Sequence, residues 1–181
     1  VVLKFGGTSV GTITKIKKVA DIVTEYKKKN YKVIVISSAM GGVTNELIKK
    51  SLEISDNFSD SEHDVLVSSG EQVSCSLIAG RLVHKGHLSR SWLSWQVPII
   101  TKGRHKNSRI IQINKNKILR YLKAGGIPII TGFQGINDEN RITTIGRGGS
   151  DASAIMVAKF FKAEKCIIYT DVEGVYTTDP N

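Results

Sequence analysis

Apolar and polar positions along the chain switch between two periods. Val1–Phe5 is a short apolar run that ends in glycines, after which Ile13, Ile16, Val19, Ala20 and Val23 recur at helical spacing until a lysine run before Asn30. Lys32–Ser37 reads as a buried strand, and Val43–Ile54 as a helix with Leu47, Ile48 and Leu52 inward. Asp56–Glu62 reads as a polar loop and Asp64–Lys85 as largely helical, with Gly70 a break or a point of close approach. Leu88–Leu93 and Val97–Thr101 are extended candidates, Pro98 being tolerable at a strand edge. Lys115–Lys123 is a predicted helix closed by Gly125 and Gly126, and Ile127–Thr131 a strand ending at Gly132. A hairpin over Gly135–Thr144, turning at Asn137–Asn140, precedes a helix at Asp151–Lys162 and a strand at Lys165–Thr170.

Strands and helices therefore alternate, and the strands are uninterrupted Val/Ile runs. That pattern predicts an α/β fold with a mainly parallel sheet covered on both faces. Ligands of such sheets gather at the carboxyl ends of the strands, where Gly6-Gly7, Gly41-Gly42 and Gly132 stand. Composition fits: hydrophobic residues are 40% and charged residues 23% of 181. No apolar run approaches the roughly 20 residues of a membrane span. The first residues form a strand-like VVLKF rather than a signal peptide, and they lack an initiating Met, so one or more residues are expected to precede Val1.

Charge and cysteines change this little. The net charge is +10, but Lys15, Lys17, Lys18 and Lys27–Lys29 read as solvated helix faces without interleaved aromatics, so no nucleic-acid partner and no membrane are expected. The excess would help attract a polyanion. Cys75 and Cys166 have no near partners, which excludes a CxxC site; both are expected as small buried hydrophobes of a reduced cytoplasm. His63, His84, His87 and His105 lack metal-ligand spacing and are expected to form no site, with Trp92 and Trp95 in packing roles.

Five motifs carry candidate chemistry. In Lys4-Phe5-Gly6-Gly7-Thr8-Ser9-Val10-Gly11 a glycine pair follows a strand, where backbone N–H groups can cradle phosphate oxygens. Neither a Walker loop nor G-x-G-x-x-G fits, because the lysine precedes the glycines. There it can neutralise a transferring phosphate; a tight turn with an exposed Lys is the competing reading. Gly146-Arg147-Gly148-Gly149-Ser150-Asp151 opens a helix. Ser150 and Asp151 are capping types, yet capping leaves the three glycines around an arginine unexplained. A loop delivering Arg147 to a carboxylate, with Asp151 holding Lys4, explains more. Ser37–Asn45 places small hydroxyl residues after a strand, suited to a polar substrate or to a helix cap. Glu71 beside Gly70 in an apolar helix would receive an amino group, or would be an exposed helical Glu. Tyr169–Pro180 ends a strand in Thr170-Asp171 and presents Tyr176, as a nucleoside pocket or as a turn with a core Tyr.

In this order, KFGGTSVG, SSAMGGVTN, SSGEQVS, TGFQG, TTIGRGGSDASA and YTDVEGVYTTDP resemble the aspartate kinases of the amino-acid kinase family from Val1 to Asn181. The resemblance implies a three-layer, open, mostly parallel sheet of the carbamate kinase-like type. It implies transfer of the ATP γ-phosphoryl, with Mg²⁺, to the β-carboxylate of L-aspartate. It assigns Lys4 and Asp151 to catalysis, Lys4, Gly6, Gly7 and Thr8 to phosphate, and Ser38, Thr44, Glu71, Arg147 and Ser150 to the substrate. Thr170, Asp171 and Tyr176 would hold the nucleoside, and no resident metal site is implied. No general base is needed, since the acceptor carboxylate, with a pKa of roughly 3.9, is already ionised.

Two departures stand out. The family motif often continues Thr-Asp-Pro-Arg, and here Asn181 stands at that position. Family members also continue through more of the nucleotide lobe into regulatory domains. Residues 1–181 are thus expected to be a catalytic domain truncated on its C-terminal side, from a cytoplasmic homo-oligomer when complete. A kinase of another amino acid such as glutamate is the rival enzyme reading, and KFGGTS with GRGGSD favours aspartate. A non-catalytic binding module is the rival of another class, opposed by intact Lys4, Arg147 and Asp151.

Overall fold

The computed structural model describes residues 1–146 and 148–170. Arg147, Asp171, Tyr176 and Asn181, and the turn expected after the last strand, lie outside the described residues. The chain runs β1 (Val2–Phe5), α1 (Ile13–Lys28), β2 (Ile34–Ser37), α2 (Val43–Ile54), α3 (Asp60–His84), β3 (Ser89–Trp92), β4 (Ile99–Arg104) and β5 (Asn107–Ile113). It continues through α4 (Asn116–Lys123), β6 (Ile127–Thr131), β7 (Gln134–Ile136), β8 (Ile142–Thr144), α5 (Gly149–Phe161) and β9 (Cys166–Tyr169).

Five strands form a parallel sheet in the order β3-β6-β2-β1-β9. Alternation along the strands sorts two cores. Leu3, Phe5 and Val35 face one side, where Ile16, Val19 and Val23 of α1 and Cys75, Ile78 and Leu82 of α3 cover them. Val2, Ile34 and Ile36 face the other, under Ile118 and Leu122 of α4 and Ala154 and Val157 of α5. Two covered faces make the three-layer α/β arrangement that the pattern predicts. Lys4 shares the parity of Val2, so its side chain leaves the sheet on the α5 side.

A second, four-stranded sheet, β5-β4-β7-β8, sits at the carboxyl edge of the first and is mixed in direction. The expected hairpin is present as β7–β8, and in its turn Asn140 N–H donates to Asn137 O at 3.1 Å. Strand β5 is not predicted by its sequence. Its buried Ser108, Ile110 and Ile113 are masked by Lys, Arg, Asn and Gln neighbours, and the β4–β5 pairing shifts register between Ile100 and Thr101. The turn of that hairpin, His105–Lys106, points back toward α3.

Other expectations need correction. Helix α3 begins at Asp60, inside the predicted loop, with Asp60 and Glu62 in its first turn, where acidic groups suit the helix dipole. Leu52 is exposed rather than inward, because α2 packs on α3 at the rim and not on the sheet; Ser51 is its one buried residue. Cys166 is exposed on β9 and Trp95 is half-exposed, whereas Cys75 and Trp92 are buried as expected. No described helix is long and apolar enough to cross a membrane.

Candidate functional site

The carboxyl ends of β1 and β2, the start of α5, the flank of α3 and the edge of the small sheet surround an open cavity of about 740 Å³. Lys4, Gly7, Ser38, Thr44, Glu71, Ser150 and Asp151 all line it, so seven of the predicted residues meet in one place.

At one end, the buried Lys4 brings Nζ to 2.6 Å from Asp151 Oδ1. This follows from the strand parity, because Asp151 precedes Ala154 and Val157 on the stripe of α5 that packs under β1 and β2. Asp151 is free for this contact because it does not cap its helix. Gly148 is the N-cap instead, with φ 74, a left-handed geometry that an L-residue with a side chain rarely adopts. Ser150 and Asp151 therefore fall in the first turn, and Ser150 packs against Gly132, where an added Cβ would lie 3.0 Å from Oγ.

The glycine pair divides its tasks. Gly6 N–H donates to Tyr169 O at 3.2 Å, so it fastens β1 to β9 and is not directed at a ligand. Its carbonyl accepts from Ser9 and Val10, which leaves the N–H groups of Gly7 and Thr8 without backbone acceptors among the described residues. Gly7 O accepts from Gly41 N–H at 3.0 Å, and a Cβ on Gly7 would lie 3.0 Å from Ala39 O, so the loops after β1 and β2 touch backbone to backbone. Thr8 belongs to a second, smaller cavity of about 310 Å³, together with Lys15, Lys18, Tyr169 and Thr170. Lys15 Nζ closes over it, donating to Thr8 O at 2.8 Å. Lysine side chains thus stand on both sides of the Gly7–Thr8 peptide, Lys4 in the larger cavity and Lys15 and Lys18 in the smaller.

At the other end, Glu71 is 2% exposed, which removes the reading of an exposed helical Glu. Gly70 makes the burial possible: a Cβ there would lie 2.7 Å from Ala39 Cβ, so only glycine lets α3 approach the loop after β2 this closely. One Glu71 oxygen, Oε1, accepts Ala39 N–H at 3.1 Å. The other, Oε2, is buried without a partner among the described residues. Loss of water pushes the Glu71 pKa up to about 8, against the opposing pull of backbone N–H groups, chiefly that of Ala39. A cavity-lining carboxylate with a spare oxygen and a desolvation penalty is suited to receive a cation. Ser38 and Thr44 flank it; the Ser38 carbonyl is held by Ser74 Oγ at 2.7 Å, and Thr44 sits in the first turn of α2 after the N-cap Gly42.

Sequence reasoning misses a third group. Asp64 is fully buried and accepts hydrogen bonds from Lys106 N–H (3.0 Å to Oδ2), Thr144 N–H (3.0 Å) and the Thr144 hydroxyl (2.6 Å). His105 Nδ1 is 2.8 Å from Asp64 Oδ2, and His63 Nδ1 is 3.6 Å from Oδ1. His63 and His105, expected to form no site, both lie beside this one carboxylate, and no metal-binding group of His, Cys, Asp or Glu is found among the described residues. The available signal was spacing. Asp64 and Glu71 are seven residues apart, on the same helical stripe as Val67, Cys75 and Ile78, so the period assigns both acids inward.

Comparisons with known proteins bear on the fold and the family. The model of the amino acid kinase family matches residues 1–181. The aspartokinase of Geobacillus stearothermophilus is 49% identical over 180 residues, which is 99% of this chain and 44% of that protein. The crystal structure of aspartate kinase from Synechocystis superposes with a TM-score of 0.83 at 40% identity, over 99% of this chain and 29% of that one. That of E. coli aspartokinase III in complex with aspartate and ADP gives 0.83 at 28% identity, over 99% of this chain and 51% of that one. The chain spans less than half the length of the curated relatives it matches.

Proposed function

The chain belongs to the amino acid kinase family, and from that premise we propose that the protein transfers the γ-phosphoryl of ATP to the β-carboxylate of L-aspartate, giving 4-phospho-L-aspartate and ADP. On this reading residues 1–181 are the leading part of the catalytic domain, and the rest of the nucleotide lobe and the regulatory domains lie outside them. The protein would act in the cytoplasm as a homo-oligomer, at the first step toward lysine, threonine and methionine.

The observation that carries the reading is the pairing of two unlike ends in one cavity. Lys4, fixed by Asp151, offers a positive charge where a phosphoryl group would pass. Glu71 offers an unpartnered carboxylate oxygen where the substrate ammonium would bind. The N–H groups of Gly7 and Thr8 suit phosphate oxygens, with Gly6 acting through the anchoring of β1. Ser38, Thr44 and Ser150 would contact aspartate, and Arg147 would pair with its carboxylate. Thr170, Asp171 and Tyr176 would hold the nucleoside. Because the acceptor is already an anion, the residues need only position it and balance charge. Mg²⁺ would enter on the nucleotide's own phosphates.

Release of ADP from ATP, followed with L-aspartate, with L-glutamate and with neither, tests this. Release that depends on aspartate is expected. Release driven equally by glutamate would reassign the substrate, and none with either would leave a binding module.

A further inference from the structure

We propose that Asp64 is a positioning residue for the acceptor end of the cavity: it clamps the β4–β5 hairpin tip and the end of β8 onto α3, and so sets the wall that the acceptor amino acid meets. The inference rests on the reading of this cavity as the aspartate site.

Asp64 touches three pieces of the fold. It belongs to α3, two helical turns before Glu71 and on the same stripe. Its carboxylate takes the N–H of Lys106 at the hairpin tip and the N–H and hydroxyl of Thr144 at the end of β8, eighty residues away in sequence. Lys106 O in turn accepts Gly146 N–H at 3.2 Å, which holds the segment entering the glycine-rich loop. Lys106, Thr144 and Gly146 line the same cavity as Glu71, whereas Asp64 and His105 do not. Asp64 therefore acts through other residues and not on the ligand.

The alternatives for holding this junction are weaker. Lys106 Nζ–Asp60 and Arg141–Glu62 also join the small sheet to α3, but both pairs are about half exposed and screened by water. Asp64 is fully buried, and its carboxylate is matched to the backbone N–H donors of Lys106 and Thr144. An amide at this position would turn an NH₂ toward at least one of those donors, leaving the fold intact in outline and the wall displaced.

The test is steady-state kinetics of Asp64→Asn in the intact protein, varying aspartate and ATP separately. The aspartate KM is expected to rise by about tenfold or more, with the ATP KM and kcat within about threefold of wild type. An unchanged aspartate KM would overturn the proposal, as would aspartate and ATP KM values rising in step, the mark of general loosening. Should Asp64→Asn fail to fold, His105→Ala and His105→Asn decide. The first removes a contact to Asp64 from outside the cavity and should raise the aspartate KM by about threefold; the second keeps a donor near Nδ1 and should restore it. Equal KM values in both variants and wild type would overturn the clamp. Wild-type protein inert toward aspartate would instead remove the functional reading, and the clamp with it.

Discussion

The two ends of the cavity solve opposite electrostatic problems. At the Lys4 end a cation is paired with a carboxylate that is partly open to water, beside backbone N–H groups without backbone acceptors among the described residues. At the Glu71 end a carboxylate is stripped of water, and its Oε2 has no hydrogen-bond partner among the described residues. The first end carries its ion pair within the protein itself. The second is costly when ionised and waits for a cation to complete it. The difference separates rate from recognition: the Lys4 end should govern turnover, and the Glu71 end should govern affinity for the acceptor.

Lys4→Ala puts the greatest strain on this division. Turnover should fall on the order of 100-fold or more, because a charge contact made in the transition state is lost. ADP release at saturating substrates measures it. Near wild-type turnover would remove Lys4 from the chemistry. Next, Arg147→Lys should raise the aspartate concentration needed for half-maximal ADP release by about tenfold, since a lysine cannot reproduce a two-pronged contact to a carboxylate. An unchanged dependence would return Arg147 to a surface role.

Gly70→Ala sharpens the same comparison from the backbone. The new methyl would sit 2.7 Å from Ala39 Cβ, so the loop that donates to Glu71 must move. Such overpacking costs about 1–3 kcal/mol. It should lower the melting temperature and raise the aspartate KM several-fold, while an unchanged KM would show that the close approach is not needed for recognition.

A smaller effect is expected from pH. Glu71 is raised from its ordinary 4.5 to about 8, so without a cationic partner it favours the protonated form at neutral pH. Binding of an ammonium group requires the ionised form and expels that proton. The aspartate KM should therefore drop by about fivefold between pH 7 and pH 8. Stability of the empty protein moves the other way. The folded state binds this proton more tightly than the unfolded chain, so the contribution is full below about pH 4.5 and is lost as pH rises through 8. An aspartate KM that is flat with pH would show that Glu71 is not the ammonium partner.

The two ends also differ in how plainly the sequence announces them. Lys4, Gly7 and Asp151 stand in glycine-rich stretches at element ends, where local composition signals a ligand loop. The inner strands of the main sheet, β1, β2 and β6, were legible from their buried apolar runs between helices of clear period. The acceptor end is made by contacts remote in sequence. Asp64 meets Thr144 only because the small sheet folds back on α3, and β5 mixes the polar Asn107, Arg109 and Gln112 with its apolar positions, so it does not read as a strand. The rim position of α2, which leaves Leu52 exposed, is likewise tertiary and leaves no trace in a helical period.

Calorimetric titration of L-aspartate into Lys4→Ala and Glu71→Gln, beside the wild-type protein, tests the division of labour most directly. The account predicts that Lys4→Ala binds aspartate within about threefold of wild type, whereas Glu71→Gln loses about tenfold or more, having given up a charge-assisted contact to the ammonium group. Loss of aspartate binding in Lys4→Ala together with its retention in Glu71→Gln would contradict it.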